Sequence, residues 1–341
     1  MTTDLLSPPR ADASPPAPAA SPPPPRRRGR AVEILAAVLV LLVFVRGPLA
    51  SLISNPRLST WMTVFVSVLV QATPFLVLGV LLSAAIAVYV PRAFWARALP
   101  RHPVLAVPAA GLAGVVLPGC ECGSVPIAGA LVRRGVTPAA AIAFLLAAPA
   151  INPVVLTATA IAFPKNPAMV VGRAGASFIV AVLMGWLWLR LGKEEWIKLP
   201  HRPEYDGMPR FQAFVAACRH DVMHAGGFLV IGAAAAATIN VTVPQAFLQS
   251  LADKAVLAVI ALALLAVLLS ICSEADAFVA ASLSTFSLTA RLVFLVVGPM
   301  VDLKLIAMQS GVFGRRFAWR FAPATLLMAI VIGSAVGTVL L

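Results

Sequence analysis

Nine apolar segments, divided by short polar stretches, take up most of this chain. They run at about 31–49, 62–90, 103–131, 137–163, 168–190, 222–243, 255–285, 290–312 and 322–341. A bilayer-spanning helix needs about 20 consecutive, mostly apolar residues, and most of these segments reach that length. The pattern predicts an all-α polytopic membrane protein. Residues 1–30 read differently: they are rich in Pro, Ala and Ser, and end in Arg26, Arg27, Arg28 and Arg30. Such a stretch buries no core and reads as a disordered cytoplasmic tail held inside by its arginines. An extra N-terminal transmembrane helix is expected at 31–53. A signal peptide is the alternative, though no clear small-x-small cleavage site follows it.

The segments fall into two sets, 62–190 and 214–341, joined by a basic stretch at 191–213 that reads as a cytoplasmic linker. Phe75-Leu-Val-Leu-Gly79 matches Phe228-Leu-Val-Ile-Gly232, and a proline follows 16 residues after each Phe, at Pro91 and Pro244. Ala148-Pro-Ala-Ile-Asn152 matches Gly298-Pro-Met-Val-Asp302. Cys122 precedes Pro149 by 27 residues, as Cys272 precedes Pro299. Three anchors with matched internal spacing predict a duplication with a period of about 150 residues.

Charge then bears on topology. If 103–131 and 255–285 cross fully, Arg133, Arg134 and the 190–210 loop fall outside, against the positive-inside rule. If each enters, breaks and returns, then Arg92, Arg97, Arg101, Arg133, Arg134, the 190–210 loop, Arg315, Arg316 and Arg320 all fall inside. The two repeats then run in opposite senses, as in many secondary transporters. The favoured expectation is two inverted repeats, each with a re-entrant hairpin: seven spans and two re-entrant segments, about nine membrane segments in all.

Composition narrows the function classes. Hydrophobic residues make up 60% of the 341 positions and charged residues 11%, against about 45–50% and about 25% in soluble domains. The net charge of +13 is spread over the short inter-segment stretches, so no nucleic-acid partner is expected. Four cysteines in mostly apolar surroundings do not make a secreted disulfide framework. There is no phosphate-binding G-x-x-x-x-G-K-[ST] and no hydrolase or transferase constellation. The chain is therefore not expected to be an enzyme or to carry a cofactor, and any transport would be secondary or driven by a partner protein.

Three polar groups stand inside the apolar segments. The first is Cys120-Glu121-Cys122-Gly123 with Pro126, where Pro and Gly break the helix and an ionisable residue sits at membrane depth. Thiolates suit soft metals and trivalent arsenic, which makes Cys120, Cys122 and Cys272 candidate metal ligands. The bland alternatives are small buried hydrophobes or a surface loop. The second group is Cys272-Ser273-Glu274-Ala275-Asp276, at the matching position, with an acidic surface loop as its alternative. The third is Asn152 and Asp302, each just beyond a proline. Asn152 could simply cap a broken helix, and Asp302 and Lys304 are expected to pair with each other, with Glu274 or with Arg173. His220 and His224 share a helix face beside Arg219 and Asp221, but a solvated, headgroup-facing helix end is the simpler reading.

The runs Leu117-Pro-Gly-Cys-Glu-Cys-Gly-Ser-Val-Pro-Ile127 and Ala148-Pro-Ala-Ile-Asn-Pro153 resemble the bacterial predicted-permease family that includes organoarsenical efflux permeases. The likeness covers about residues 60–341. It implies a multi-pass inner-membrane permease in which Cys120, Cys122, Gly123, Pro126, Pro149, Asn152 and Pro153 match the family signature. Some members export trivalent arsenicals, while a carboxylate beside thiols also suits a metal cation. The expected function is a secondary permease exporting a small thiophilic or cationic solute by alternating access. Substrate-binding residues would be Cys120, Glu121, Cys122, Gly123, Pro126, Asn152, Cys272, Glu274, Asp276 and Asp302, with the acids of the second half carrying coupling protons or counter-charge. Two other classes stay open: a thiol–disulfide electron carrier bridging Cys122 and Cys272, and a membrane subunit of a larger complex or homo-oligomer.

Overall fold

A computed structural model describes residues 56–100, 102–116, 120–199, 208–242 and 255–341. The expected tail at 1–30 and the expected helix at 31–53 lie outside the described residues, as do Leu117, Pro118 and Gly119 at the first break. The described residues form thirteen α-helices and no strand. In chain order they are α1 Pro56–Tyr89, α2 Arg92–Ala98, α3 Pro103–Ala113, α4 Glu121–Arg133, α5 Pro138–Ile151, α6 Pro153–Ala162 and α7 Ala168–Leu191. After the linker come α8 Arg210–Thr242, α9 Ala255–Leu269, α10 Asp276–Ser282, α11 Leu288–Val297, α12 Leu303–Val312 and α13 Arg315–Leu340.

Among the described residues, five helical stretches are long and apolar enough to cross a membrane: 56–89, 138–162, 168–191, 210–238 and 315–340. Three extend further toward the N-terminus than their apolar content predicts: α1 is described from Pro56 against an expected 62, α8 from Arg210 against 222 and α13 from Arg315 against 322. Helix α8 begins at Arg210 rather than near 222, because Arg219, His220 and Asp221 lower the hydropathy without ending the helix. Those residues therefore lie well inside α8. Asp221 is also buried and accepts a hydrogen bond from Ser83 Oγ at 2.7 Å, which corrects the expectation of a solvated helix end. Arg219 and His224 do stay exposed.

Helix α5 is the centre of the first half. Every residue from Ala139 to Ile151 is buried. Its alanines let neighbouring backbones come close, which is how helices pack where there is no hydrophobic drive between them. It packs against α3, α4 and α7. In the second half α11 packs against α9, α10 and α13. Helix α1 lies on α8 and α4, and α8 lies on α12.

The breaks fall where sequence chemistry stops helices. Asn152 stands before Pro153 with φ −71° and ψ 156°, the extended conformation that a following proline imposes. The stop is thus at Asn152, and Pro149 sits within the last turn of α5. Asn152 Oδ1 accepts from Val155 N and its Nδ2 donates to Ala148 O, both at 3.0 Å. One side chain so satisfies the end of α5 and the start of α6. Asp302 caps α12 in the same way, accepting from Leu305 N. Helix α3 ends at Ala113 and α4 begins at Glu121 with Cys120 as its cap residue, and a break at 270–275 separates α9 from α10. Ser270 takes φ +49°, and its Oγ accepts from Leu303 N at 3.3 Å, tying the two breaks of the second half together.

Candidate substrate site at the helix breaks

The breaks of the two halves meet inside the protein. Cys120 is the cap residue of α4, and Glu121 is its first residue, where a carboxylate offsets the positive end of a helix. Cys272 belongs to the 270–275 break. The ligand atoms of Cys120, Glu121 and Cys272 all lie within 4.8 Å of one another, and all three residues are buried. The Cys120 thiol is also within hydrogen-bonding reach of the thiols of Cys122 and Cys272. All four cysteines are free thiols.

Lys304 enters this cluster from the second residue of α12. Its Nζ lies 2.5 Å from Glu121 Oε1, 3.5 Å from Asp302 Oδ2 and 3.9 Å from Cys272 Sγ. Lys304, Glu121 and Asp302 are each at most 1% exposed. Glu121 Oε2 has no hydrogen-bond partner among the described residues. The sequence expectation offered Asp302 and Lys304 each other, Glu274 or Arg173 as partners; Asp302 does face Lys304, but the nearer acid, Glu121, was overlooked.

A second ion pair lies at the other break. Arg173, on α7, places Nη2 2.9 Å from Asp276 Oδ2 and 3.1 Å from Ser273 O. Its Nη1 donates to Thr159 Oγ1 at 2.9 Å. Arg173 and Asp276 are both buried, while Glu274 is half-buried. Arg173, Lys304, Thr159 and Ser273 were not among the expected site residues. The usable signal for the first two was a cation alone within an apolar run, which is costly in hydrocarbon and so calls for a partner.

Gly123 and Pro126 follow on α4. A Cβ on Gly79 would come 2.4 Å from Gly123 Cα, so α1 and α4 touch backbone to backbone. Pro126 lines a small pocket with Arg133, His220, Asp221 and His224. Beside Cys120, a crevice bounded by Phe75, Gly79, Gly123, Ser124 and Phe144 has about 20 Å³ of free volume, room for about one water. In this conformation all three thiols are buried, and Cys120 alone of them lines this crevice.

Buried thiols, buried charges and helix breaks inside a bundle of membrane-length helices are the equipment of a transport protein. Comparison with known sequences bears on this directly: residues 57–338 match the model of the predicted-permease family ArsP_1. The chain belongs to that family. The UPF0718 protein YcgR of Bacillus subtilis (strain 168) is 36% identical over 280 residues, covering 80% of this chain and 95% of the relative. A protein of Streptococcus mutans serotype c, named as a subunit of a two-component membrane permease complex, is 34% identical over 284 residues, covering 81% and 94%. No solved structure matches the chain. This permease-family chain is thus a multi-pass membrane protein, and its family and relatives point to transport rather than catalysis.

Proposed function

We propose that this permease moves a small thiophilic solute, such as a trivalent organoarsenical or a soft metal ion, by secondary transport out of the cell. The observation that carries the reading is the meeting of Cys120, Glu121 and Cys272, contributed by breaks in both halves. Sulfur donors select soft electrophiles. A site shared between halves is released when the halves move apart, which is the logic of alternating access between inverted repeats. The closed crevice beside Cys120 fits one phase of such a cycle. The positive-inside pattern sets Arg133, Arg134 and the 190–210 loop on the cytoplasmic side.

Cys272→Ser should lower the transport of a trivalent arsenical probe by more than tenfold in everted membrane vesicles, at unchanged protein level. Transport at the native rate would rule out the thiol site. A second reading draws on the relative named as a subunit of a two-component complex: this chain then works with a partner chain. Flux from the purified chain alone in proteoliposomes would exclude that reading.

A further inference from the structure

We propose that Lys304 determines the charge selectivity of the thiol site: its ammonium occupies the cation position and refuses divalent metal ions, while neutral soft electrophiles bind the sulfurs. This inference rests on the thiol-site reading above and narrows it.

Lys304 is an odd residue for its place. It sits in the first turn of α12, where the positive end of the helix disfavours a cation, and it is fully buried. Helix formation does not account for it. Its Nζ lies against Glu121 Oε1, Asp302 Oδ2 and Cys272 Sγ. Glu121 and Cys272 are two of the three residues whose ligand atoms converge within 4.8 Å. The ammonium therefore takes the carboxylates that a divalent ion would need for charge balance. The lysine is also seated from behind: a Cβ on Gly232 would come 2.6 Å from Lys304 Cα, so α8 backbone lies directly on the residue that carries the ammonium.

The sulfur chemistry is left available. Of the three thiols, Nζ has a described hydrogen bond to that of Cys272 and a charge interaction with that of Cys122, and Cys120 has neither among the described interactions. A neutral trivalent centre exchanges its labile ligands for thiolate sulfurs and hands the thiol protons to those leaving ligands. It needs no carboxylate and brings no positive charge against the ammonium. A divalent ion beside the ammonium would meet like-charge repulsion where water does not screen it.

The test uses the full chain in detergent, with Cd²⁺ alone and phenylarsine oxide as probes, read by titration calorimetry and thermal shift. The native chain should bind phenylarsine oxide and take up Cd²⁺ weakly. Lys304→Met should tighten Cd²⁺ at least tenfold, and Cd²⁺ should raise its melting temperature. Lys304→Arg should behave as native, and adding Cys272→Ser to Lys304→Met should abolish the gain. Phenylarsine oxide affinity should change less than threefold in Lys304→Met. Equal Cd²⁺ affinity in native and Lys304→Met chains overturns the proposal and reduces Lys304 to a structural counter-ion, with the thiol site intact. Failure of the native chain to bind phenylarsine oxide overturns the thiol site and the Lys304 role together. If Lys304→Met does not fold, Lys304→Gln, whose amide can still donate to Glu121, makes the same comparison.

Discussion

The two buried ion pairs look alike on paper and differ in how their surroundings use them. Arg173–Asp276 is held by hydrogen bonds on several sides: the guanidinium also reaches Thr159 Oγ1 and Ser273 O. Glu121–Lys304 is surrounded instead by thiols, a second acid and a carboxylate oxygen with no partner among the described residues. Both pairs keep buried atoms with no hydrogen-bond partner among the described residues, Arg173 Nε and Asp276 Oδ1 in one and Glu121 Oε2 in the other, so the difference lies in the neighbours: a hydroxyl and a carbonyl brace the first, whereas soft sulfur donors beside the second can hold a thiophilic ligand. The contrast separates a latch from a site within one bundle.

The comparison can be broken most forcefully at the latch. Arg173→Met should destabilise the protein by about 3–5 kcal/mol, because it strands a buried Asp276; the melting temperature in detergent checks this. A native-like value would remove the latch. Next comes the seam behind the site. Gly79→Leu forces side-chain atoms into the Gly123 backbone and should cost about 1–3 kcal/mol as overpacking, with transport falling in step. Asn152→Ala removes one cap and should cost about 1 kcal/mol, visible as faster hydrogen exchange at the start of α6. Cys120→Ser should be mildest in stability, about 1 kcal/mol or less, the net worth of one hydrogen bond. Its transport of an arsenical probe should nonetheless drop more than tenfold. A Cys120→Ser chain that transports normally would erase the distinction between the two regions.

The helical membrane architecture was legible because hydrocarbon demands long apolar segments, and the breaks were legible because Pro, Gly and ionisable residues do not persist there without cause. A cap was one of the readings open for Asn152, whereas the cap at Asp302 was not foreseen. Pairing was not legible. Glu121 lies 183 positions from Lys304, counting from 121 to 304, and no local rule links them. Counting only cysteines and acids made the breaks look like a site for cations. Arg173 and Lys304 change that balance, and both stand in segments whose periodicity carries no hint of direction. Asp221 was misread because a charged residue near a helix start is usually solvated; here Ser83 of α1 covers it.

Two buried ion pairs, Arg173–Asp276 and Glu121–Lys304, join one half to the other, and this has a consequence for how the chain is made. Arg173 enters the membrane 103 residues ahead of Asp276, and Glu121 well ahead of Lys304. A lone charge at the centre of an inserting helix costs about 2.5–3.5 kcal/mol. The first half therefore enters the bilayer carrying a debt that only the second half can settle. Neither half expressed alone should accumulate. Synthesised together from separate messages, the two should rescue each other, with their cross-half ion pairs acting as an assembly checkpoint in biogenesis.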